Sequence, residues 1–269
     1  MAATTHPLRR PSLATRVRPP VWALFVCVYE LLLLAAVMPA CAQVAASATL
    51  TSAYDYRGVT LTDGQPALGI SVSYDQTSGA YLGASLFGHN PTHAGLQPLG
   101  ELAYIGYAHR IETGPGLDLG VSEFRYKTYY TALSGNKLTP NRPYFFGNYV
   151  TDSTQSYIGL LGKNVSFYLN YSPNYFNDGI AALYSDLSGA IHPAPRWRLF
   201  AHAGILTPLS GRPEPGARRE EYDLRAGIAA ELKHAEVQLA WTTRRPNSDQ
   251  LGAYRQGRDA LTLSASWFF

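Results

Sequence analysis

The sequence predicts an all-β protein, an antiparallel transmembrane β-barrel of about 12 strands that follows a cleaved signal peptide. Three observations predict this fold. The N-terminus carries arginines followed by an apolar run, the remainder repeatedly alternates apolar and polar residues, and the chain ends in an alternating segment whose last residue is phenylalanine. Strand counts of about 10 or about 14 are alternatives, because alternation marks strands better than it marks their ends.

The first 42 residues have the composition of a signal peptide. Four arginines precede an apolar run over residues 21–37, and the small residues Ala40 and Ala42 frame a cleavage site before Gln43. This basic, apolar, small-residue order is typical of exported proteins.

The predicted domains are therefore a signal peptide over residues 1–42 and an outer-membrane barrel over residues 43–269. Two other interpretations remain open. The apolar run is close to the lower length limit for a retained transmembrane helix, and Cys41 provides an alternative lipoprotein processing site. Cys27 and Cys41 are the two cysteines of the chain, so the predicted mature protein has no disulfide, thiol nucleophile or cysteine metal site.

The excess of basic residues belongs to the predicted leader. It carries four of the 22 lysines and arginines and one of the 19 acidic residues, which leaves 18 of each in the rest of the chain. A nearly neutral mature protein gives no reason to expect a nucleic-acid partner.

Alternation of apolar and polar residues identifies the strands, because successive side chains of a strand point to opposite faces. In residues 67–74, for example, Leu68, Ile70 and Val72 alternate with glycine and serine. The predicted strands are 47–57, 67–74, 80–87, 101–109, 117–126, 154–162, 164–171, 179–187, 197–205, 221–232, 235–243 and 259–269.

The connections between these strands alternate in length. Those near 75–79, 110–116, 163, 188–196 and 233–234 are mostly short, whereas the others are mostly longer and richer in Pro, Gly, Asn and charge. Membrane barrels have short periplasmic turns and longer outer loops, and an even strand count places both termini in the periplasm. A soluble, lipocalin-like barrel remains an alternative, because period two alone does not decide which face is inside.

The polar face of the predicted strands supplies the candidate functional residues. We expect these residues to line the lumen: Asp55, Arg57, Arg198, His202, Asp223, Arg225, Glu231, Glu236 and Gln238. Their charges either set a field across a solute pathway or form a salt-bridge network that fills a narrow barrel.

The last strand carries the predicted insertion signal. Apolar residues at 261, 263, 265, 267 and 269 alternate with more polar ones, and Trp267 and Phe269 are its terminal aromatic side chains. Such an ending resembles the signal that the bacterial barrel-assembly machinery recognises.

The segment Ser52-Ala53-Tyr54-Asp55-Tyr56-Arg57-Gly58, the Pro66-Ala67 pair and the stretch Ser78 to Gly83 resemble the opening hairpins of the TorF-type porin family. The resemblance implies an outer-membrane barrel with a transport role and no catalytic residues. From the residues themselves we expect Gly58 to take the positive φ that ends a strand, and Arg57 to lie with Asp55 on the lumen wall.

The sequence predicts a protein that is not an enzyme, with no catalytic, cofactor-binding or metal site. His89 and His93 are four residues apart, but Pro91 between them disfavours the helix in which that spacing would align two ligands. We therefore expect an outer-membrane porin that lets small polar solutes diffuse. Its expected partners are outer-membrane lipid, lipopolysaccharide, the assembly machinery and those solutes.

Two competing functions remain. A non-conducting structural or adhesion barrel would have a charge-packed lumen and a folded-in loop at 127–153. An outer-membrane hydrolase would need a nucleophile and a base in contact on the barrel wall.

Overall fold

The described residues form a closed antiparallel β-barrel of twelve strands, and a separate two-stranded hairpin. The computed structural model describes residues 42–62, 64–90, 95–109, 111, 114–131, 146–175, 179–210, 220–245 and 259–269. Residues 1–41 of the predicted leader, which include Cys27 and Cys41, lie outside these residues. No helix within these ranges is long and apolar enough to cross a membrane.

The strands follow one another round the ring in chain order, each antiparallel to the next, except that the chain leaves the ring between β1 and β4. The barrel strands are β1 Ala42–Thr51, β4 Ala67–Gln76, β5 Ala80–His89, β6 Gln97–His109, β7 Gly116–Thr131, β8 Phe146–Leu161, β9 Val165–Ser172, β10 Ala182–Ala194, β11 Trp197–Pro208, β12 Glu221–Glu231, β13 Ala235–Arg245 and β14 Ala260–Phe268, and the hairpin strands are β2 Asp55–Tyr56 and β3 Val59–Thr60.

The ring closes on β1, which is hydrogen-bonded on both edges. Residues 42–51 pair with 76–67 of β4 on one side, and residues 47–51 pair with 268–264 of β14 on the other. In a ring closed in this way every strand pairs with a neighbour on both sides, so no strand presents a whole free edge.

The two ends of the barrel differ. One end, here called the short-turn end, holds both termini of the ring and the connections around 77–79, 110–115, 162–164, 195–196 and 232–234. The opposite end, the long-loop end, holds the remaining connections. This alternation matches the predicted one.

The outer face of the wall is apolar and the inner face is mostly polar. Large apolar side chains such as Ile70, Ile105 and Leu263 point outward, and Ile105 is 62% exposed. Serines, tyrosines and charged residues occupy the alternate positions that face the lumen. Outward apolar side chains and an inward polar face suit a barrel that stands in hydrocarbon.

Small residues on the inner face make room for aromatic rings. Tyr157 lies across Gly120, Tyr168 across Gly159 and Tyr184 across Gly204, and a Cβ atom at each glycine would overlap the neighbouring ring. Rings that lie flat against the wall in this way cover glycine backbone and line the lumen with hydroxyl groups.

Several predicted strand boundaries are wrong. The first strand was expected at 47–57, but β1 ends at Thr51 and residues 55–60 form the separate hairpin. A turn was expected at 188–196, but β10 continues to Ala194. A register shift between Ile191 and Ala194 accommodates Pro193, which has no N–H to donate to the ladder.

The loop expected at 127–153 is in part strand. Residues 127–131 pair with 150–146, so β7 and β8 extend the wall at the long-loop end. Residues 132–145 lie outside the described part of the chain.

The close packing of rings on glycines predicts that added bulk weakens the barrel. In Gly120→Ala the new methyl group would meet the Tyr157 ring and the Ile105 carbonyl, and we expect a loss of about 1–3 kcal/mol in the free energy of unfolding. Urea unfolding in detergent, followed by intrinsic fluorescence, measures it. Gly114→Ala is the matched control, because its nearest atom, Ile111 Cγ2, is 3.6 Å away; equal losses in both variants would contradict this account.

Candidate functional site

A hairpin from the first long loop enters the lumen. Strands β2 and β3 pair Asp55 with Thr60 and Tyr56 with Val59. The two residues between them, Arg57 and Gly58, have φ angles of 48° and 72°. Two consecutive positive φ angles define a tight type I′ turn, which glycine adopts without strain and arginine does not.

The base of the hairpin is buried among side chains of the wall. Val59 and Leu61 are only 6% and 5% exposed. They belong to an apolar cluster that occupies the long-loop half of the lumen: Val59, Leu61, Leu99, Phe124, Tyr126, Tyr175, Ala182, Tyr184 and Leu206, with Tyr54, Tyr56, Phe87 and Leu102 packed against them. Tyr56 stacks on Phe124 with ring centroids 4.3 Å apart.

Arg57 at the hairpin tip reaches the opposite side of the barrel. Its guanidinium donates hydrogen bonds to Gln155 Oε1 at 2.6 Å and to Tyr175 Oη at 3.4 Å. It also lies 3.8 Å from the centre of the Tyr184 ring. Gln155 and Tyr184 belong to β8 and β10, which flank β9, the strand opposite β1 in the ring.

The cation of Arg57 is held by aromatic rings rather than by a carboxylate. Among the described residues it forms no ion pair, whereas the rings of Tyr56, Tyr175 and Tyr184 all lie within 6 Å of it. Cation–π contacts of this kind compensate for lost hydration. Burial raises the pKa of Tyr175 to about 12, so this hydroxyl remains neutral at physiological pH.

Gly58 allows the tip to press against the wall. A Cβ atom there would lie 2.7 Å from Asp223 Cβ and 2.9 Å from Arg244 Cβ. Arg244 itself forms a buried ion pair with Glu221. Asp55, on the other side of the tip, interacts electrostatically with Arg225 of β12.

Two cavities lie in the lumen beside the tip, and Tyr56 and Arg57 line both. The larger, of about 710 Å³, is bounded by the wall from β9 to β13 and reaches the turn at 162–164. The smaller, of about 580 Å³, is bounded by the wall from β4 to β9. Both therefore extend from the hairpin toward the short-turn end.

The smaller cavity has a wall of hydroxyl groups arranged round one carboxylate. Asp118 accepts hydrogen bonds from Tyr81 at 2.5 Å and from Tyr168 at 2.8 Å. Tyr81 and Tyr157 are joined by a further bond of 2.6 Å. The arrangement fixes rings against the wall and leaves polar edges toward the lumen.

The larger cavity contains most of the residues that the sequence predicted for the lumen. Asp55, Arg57, Arg198, His202, Asp223, Arg225 and Gln238 line it. Glu231 and Glu236 accept hydrogen bonds from Arg198, at 2.9 Å and 2.6 Å. Asp55 and Arg57, however, lie on the hairpin and not on the wall as the sequence suggested.

His202 is the centre of a second network on the same wall. Its Nδ1 lies 2.8 Å from Ser188 Oγ, and its Nε2 lies 3.2 Å from Asp223 Oδ1 and 2.9 Å from Tyr184 Oη. Tyr184 also donates to Asp223 Oδ2 at 3.0 Å. Four side chains from three consecutive strands thus form one connected group.

Sequence reasoning missed Ser188, Tyr184, Gln155 and Tyr175. Ser188 falls in the turn that the sequence predicts at 188–196. Tyr184 could have been found by its position, because it lies an even number of residues from Ser188 and so shares its face. Tyr175 lies beyond the end of β9, and no periodicity indicates its direction.

Solved structures to which this barrel is similar include two porins and the translocator domain of an autotransporter. The solved structure of the porin NanC matches with a TM-score of 0.50 and 8% identity over 84% of this chain and 100% of that one. The porin KdgM, solved with disordered oligogalacturonate, matches with a TM-score of 0.47 and 7% identity, over 84% of this chain and 99% of that one. The translocator domain of the autotransporter NalP from Neisseria meningitidis matches with a TM-score of 0.42 and 13% identity, over 92% of this chain and 97% of that one.

The fold defines the class: a twelve-stranded antiparallel barrel of the outer-membrane porin type. The family model described as "bacterial protein of unknown function (Gcw_chp)" matches residues 36–266, and the chain belongs to that family. No curated protein matches the sequence.

The contacts of Arg57 predict that lysine cannot replace it. Arg57→Lys keeps the charge but loses the planar fork that bonds Gln155 while it stacks on Tyr184. We expect the free energy of local opening of the hairpin to fall by about 1.4 kcal/mol, so that the amide hydrogens of residues 52–66 exchange about tenfold faster. Hydrogen-exchange mass spectrometry measures this, with β13 as the internal reference. Unchanged exchange in 52–66, or an equal rise in β13, would contradict a local anchoring role.

Proposed function

We propose that the protein is an outer-membrane pore for small polar solutes whose first outer loop closes the lumen. One observation carries the proposal. The element that fills the long-loop half of the lumen is a hairpin joined to the wall by side-chain contacts, not by a strand ladder. Side-chain contacts can break and re-form without disturbing the barrel, so the hairpin is able to act as a gate.

The polar cavities support a solute pathway. They lie on the short-turn side of the hairpin and are lined by hydroxyl, amide and charged groups. A solute that passes the hairpin therefore meets hydrogen-bonding groups that replace part of its hydration. We expect both cavities to be continuous with the periplasm.

The resemblance of residues 52–83 to the TorF-type porins supports the same proposal. Its Tyr-x-x-Arg-Gly segment, residues 54–58, contains strand β2 and the hairpin tip. The Arg-Gly pair supplies both positive φ angles of the turn and the cation that anchors it. The finer assignment to that family would explain why this loop, rather than a later one, carries the gate.

The exterior fits the proposed location. The outward apolar side chains would contact outer-membrane lipid, and Glu101, Glu123 and Arg125 lie on the outer face nearer the long-loop end. We expect that rim to meet lipopolysaccharide and the terminal residues Trp267 and Phe269 to engage the assembly machinery. Export by a cleaved signal peptide belongs to the same proposal.

A non-conducting structural barrel is the second candidate. The apolar cluster round Val59 and Leu61 and the ion pairs of Arg198 favour it, because both fill the lumen. In that case the hairpin is a permanent plug. The two candidates differ in whether release of the hairpin opens a path.

Single-channel recording in planar bilayers tests the proposal. Loss of the Arg57 hydrogen bonds in Arg57→Ala costs about 1.5–3 kcal/mol, so we expect an open population at least about tenfold higher than in the unchanged protein. A second variant replaces residues 53–65 by a short Gly-Ser turn. Thr51 and Ala67 are cross-strand partners, so such a turn can join β1 to β4. This variant should stay open with a larger conductance.

Arg125→Ala is the matched control. It removes the same charge from the outer face, where Arg125 pairs with Glu101 at 2.8 Å, and should leave the recordings unchanged. Folded protein that never conducts, even without the hairpin, would overturn the pore and favour the structural barrel.

A further inference from the structure

Ser188, His202 and Asp223 form a connected group of nucleophile, base and carboxylate on the lumen wall, and Asp223 also lies against the hairpin tip at Gly58. The three residues belong to β10, β11 and β12. Ser188 and His202 are direct cross-strand partners, and Ser188 Oγ lies 2.8 Å from His202 Nδ1. Asp223 lies 3.2 Å from the other ring nitrogen, Nε2.

The hydrogen bonds of Asp223 decide which imidazole nitrogen carries the proton. Tyr184 donates its hydroxyl proton to Asp223 Oδ2 at 3.0 Å. Because Tyr184 gives its proton to Asp223, its oxygen accepts from His202 Nε2 at 2.9 Å, so Nε2 carries the N–H and Asp223 Oδ1 lies 3.2 Å from it. Nδ1 is then unprotonated and accepts from Ser188. This tautomer is the one that a general base for Ser188 requires.

Arg225 places a cation on the same wall. Arg225 is the direct cross-strand partner of His202 on β12, lines the same cavity, and its Nε has no hydrogen-bond partner among the described residues. Its charge interacts with Asp55 of the hairpin, whereas Arg198 pairs with both Glu231 and Glu236. Arg225 therefore adds a positive charge to the wall on the strand next to His202.

The cavity limits what can reach the serine. Its volume of about 710 Å³ lies within the usual range for small-molecule sites, about 300–1,000 Å³. It is lined by Lys163 and Asn164 at the short-turn end, and the hairpin tip bounds it on the other side. Access from the short-turn end admits small hydrophilic molecules and excludes lipid chains held in the membrane.

We propose that Ser188, His202 and Asp223 form an esterase site that cleaves small hydrophilic carboxylic esters inside the barrel. Ser188 Oγ attacks the carbonyl carbon while His202 Nδ1 takes its proton. The ester C–O bond breaks, and the alcohol leaves with the proton from His202. Water, deprotonated by His202, then cleaves the acyl-serine and restores Ser188, so one ester and one water give one acid and one alcohol.

Ser188 is the catalytic nucleophile and His202 the catalytic base, whereas Asp223 is a positioning residue that holds His202. Asp186, also on the cavity wall, interacts electrostatically with His202. The proposal does not depend on the pore, because the serine is reached from the cavity whether or not the hairpin opens. Conductance and ester cleavage can therefore fail independently.

A fluorophosphonate probe tests the proposal, because its phosphorus reacts with activated serines and ordinary serines are inert. The full protein, folded in detergent micelles and checked by heat-modifiable migration, should be labelled at Ser188 and should hydrolyse p-nitrophenyl acetate. Ser188→Ala should lose both signals. His202→Gln should label at least about 100-fold more slowly, the minimum contribution usual for a general base.

Ser122→Ala is the control, since Ser122 lines the smaller cavity and should leave labelling and hydrolysis at the unchanged level. Three results would each overturn the proposal: folded protein that is not labelled, a label mapped to another serine, or ester hydrolysis that persists in folded Ser188→Ala.

Discussion

The structure depends on the closure of the ring at β1. This strand pairs with β4 over residues 42–51 and with β14 over residues 47–51, and without either ladder the barrel would present an open edge. Unpaired backbone groups in hydrocarbon cost several kcal/mol each, so closure is obligatory for a membrane barrel. It also brings Thr51 beside Ala67, although fifteen residues separate them along the chain. Residues 52–66 are therefore not needed to span the distance between β1 and β4, and they can enter the lumen.

The lumen explains why the inserted segment is stable. Its apolar residues meet Phe124, Tyr184 and other aromatic side chains of the long-loop half, and its cation meets the faces of three tyrosine rings. Among these rings, Tyr184 lies where Gly204 on the neighbouring strand leaves space for it. Wall, rings and hairpin thus form one packed unit in the long-loop half, while the short-turn half remains polar and open enough to hold two cavities.

The alternation of apolar and polar residues accounts for most of what the sequence could predict. It identified the twelve strands, the apolar exterior and the inward side of Arg198, His202, Asp223 and Arg225, because face assignment depends only on odd or even position. It could not predict the hairpin: Tyr54, Tyr56, Val59 and Leu61 are as apolar as strand residues, and whether they meet lipid or lumen depends on a wall built from distant segments. Ser188 was missed because a bulge lets β10 continue past Pro193, whereas proline normally ends a central strand.

The position of the hairpin is the central claim, and cysteine accessibility measures it directly. Val59→Cys places a thiol of similar size in the buried part of the hairpin, and Gln65→Cys places one at an exposed position of the same loop. A membrane-impermeant maleimide is added to intact cells, with the unchanged chain as the blank for Cys27 and Cys41. The account predicts rapid labelling at 65 and labelling at least about 100-fold slower at 59, as expected for a site exposed only by an opening of about 2.7 kcal/mol. Equal labelling at both positions would contradict it, because the hairpin would then lie outside the lumen.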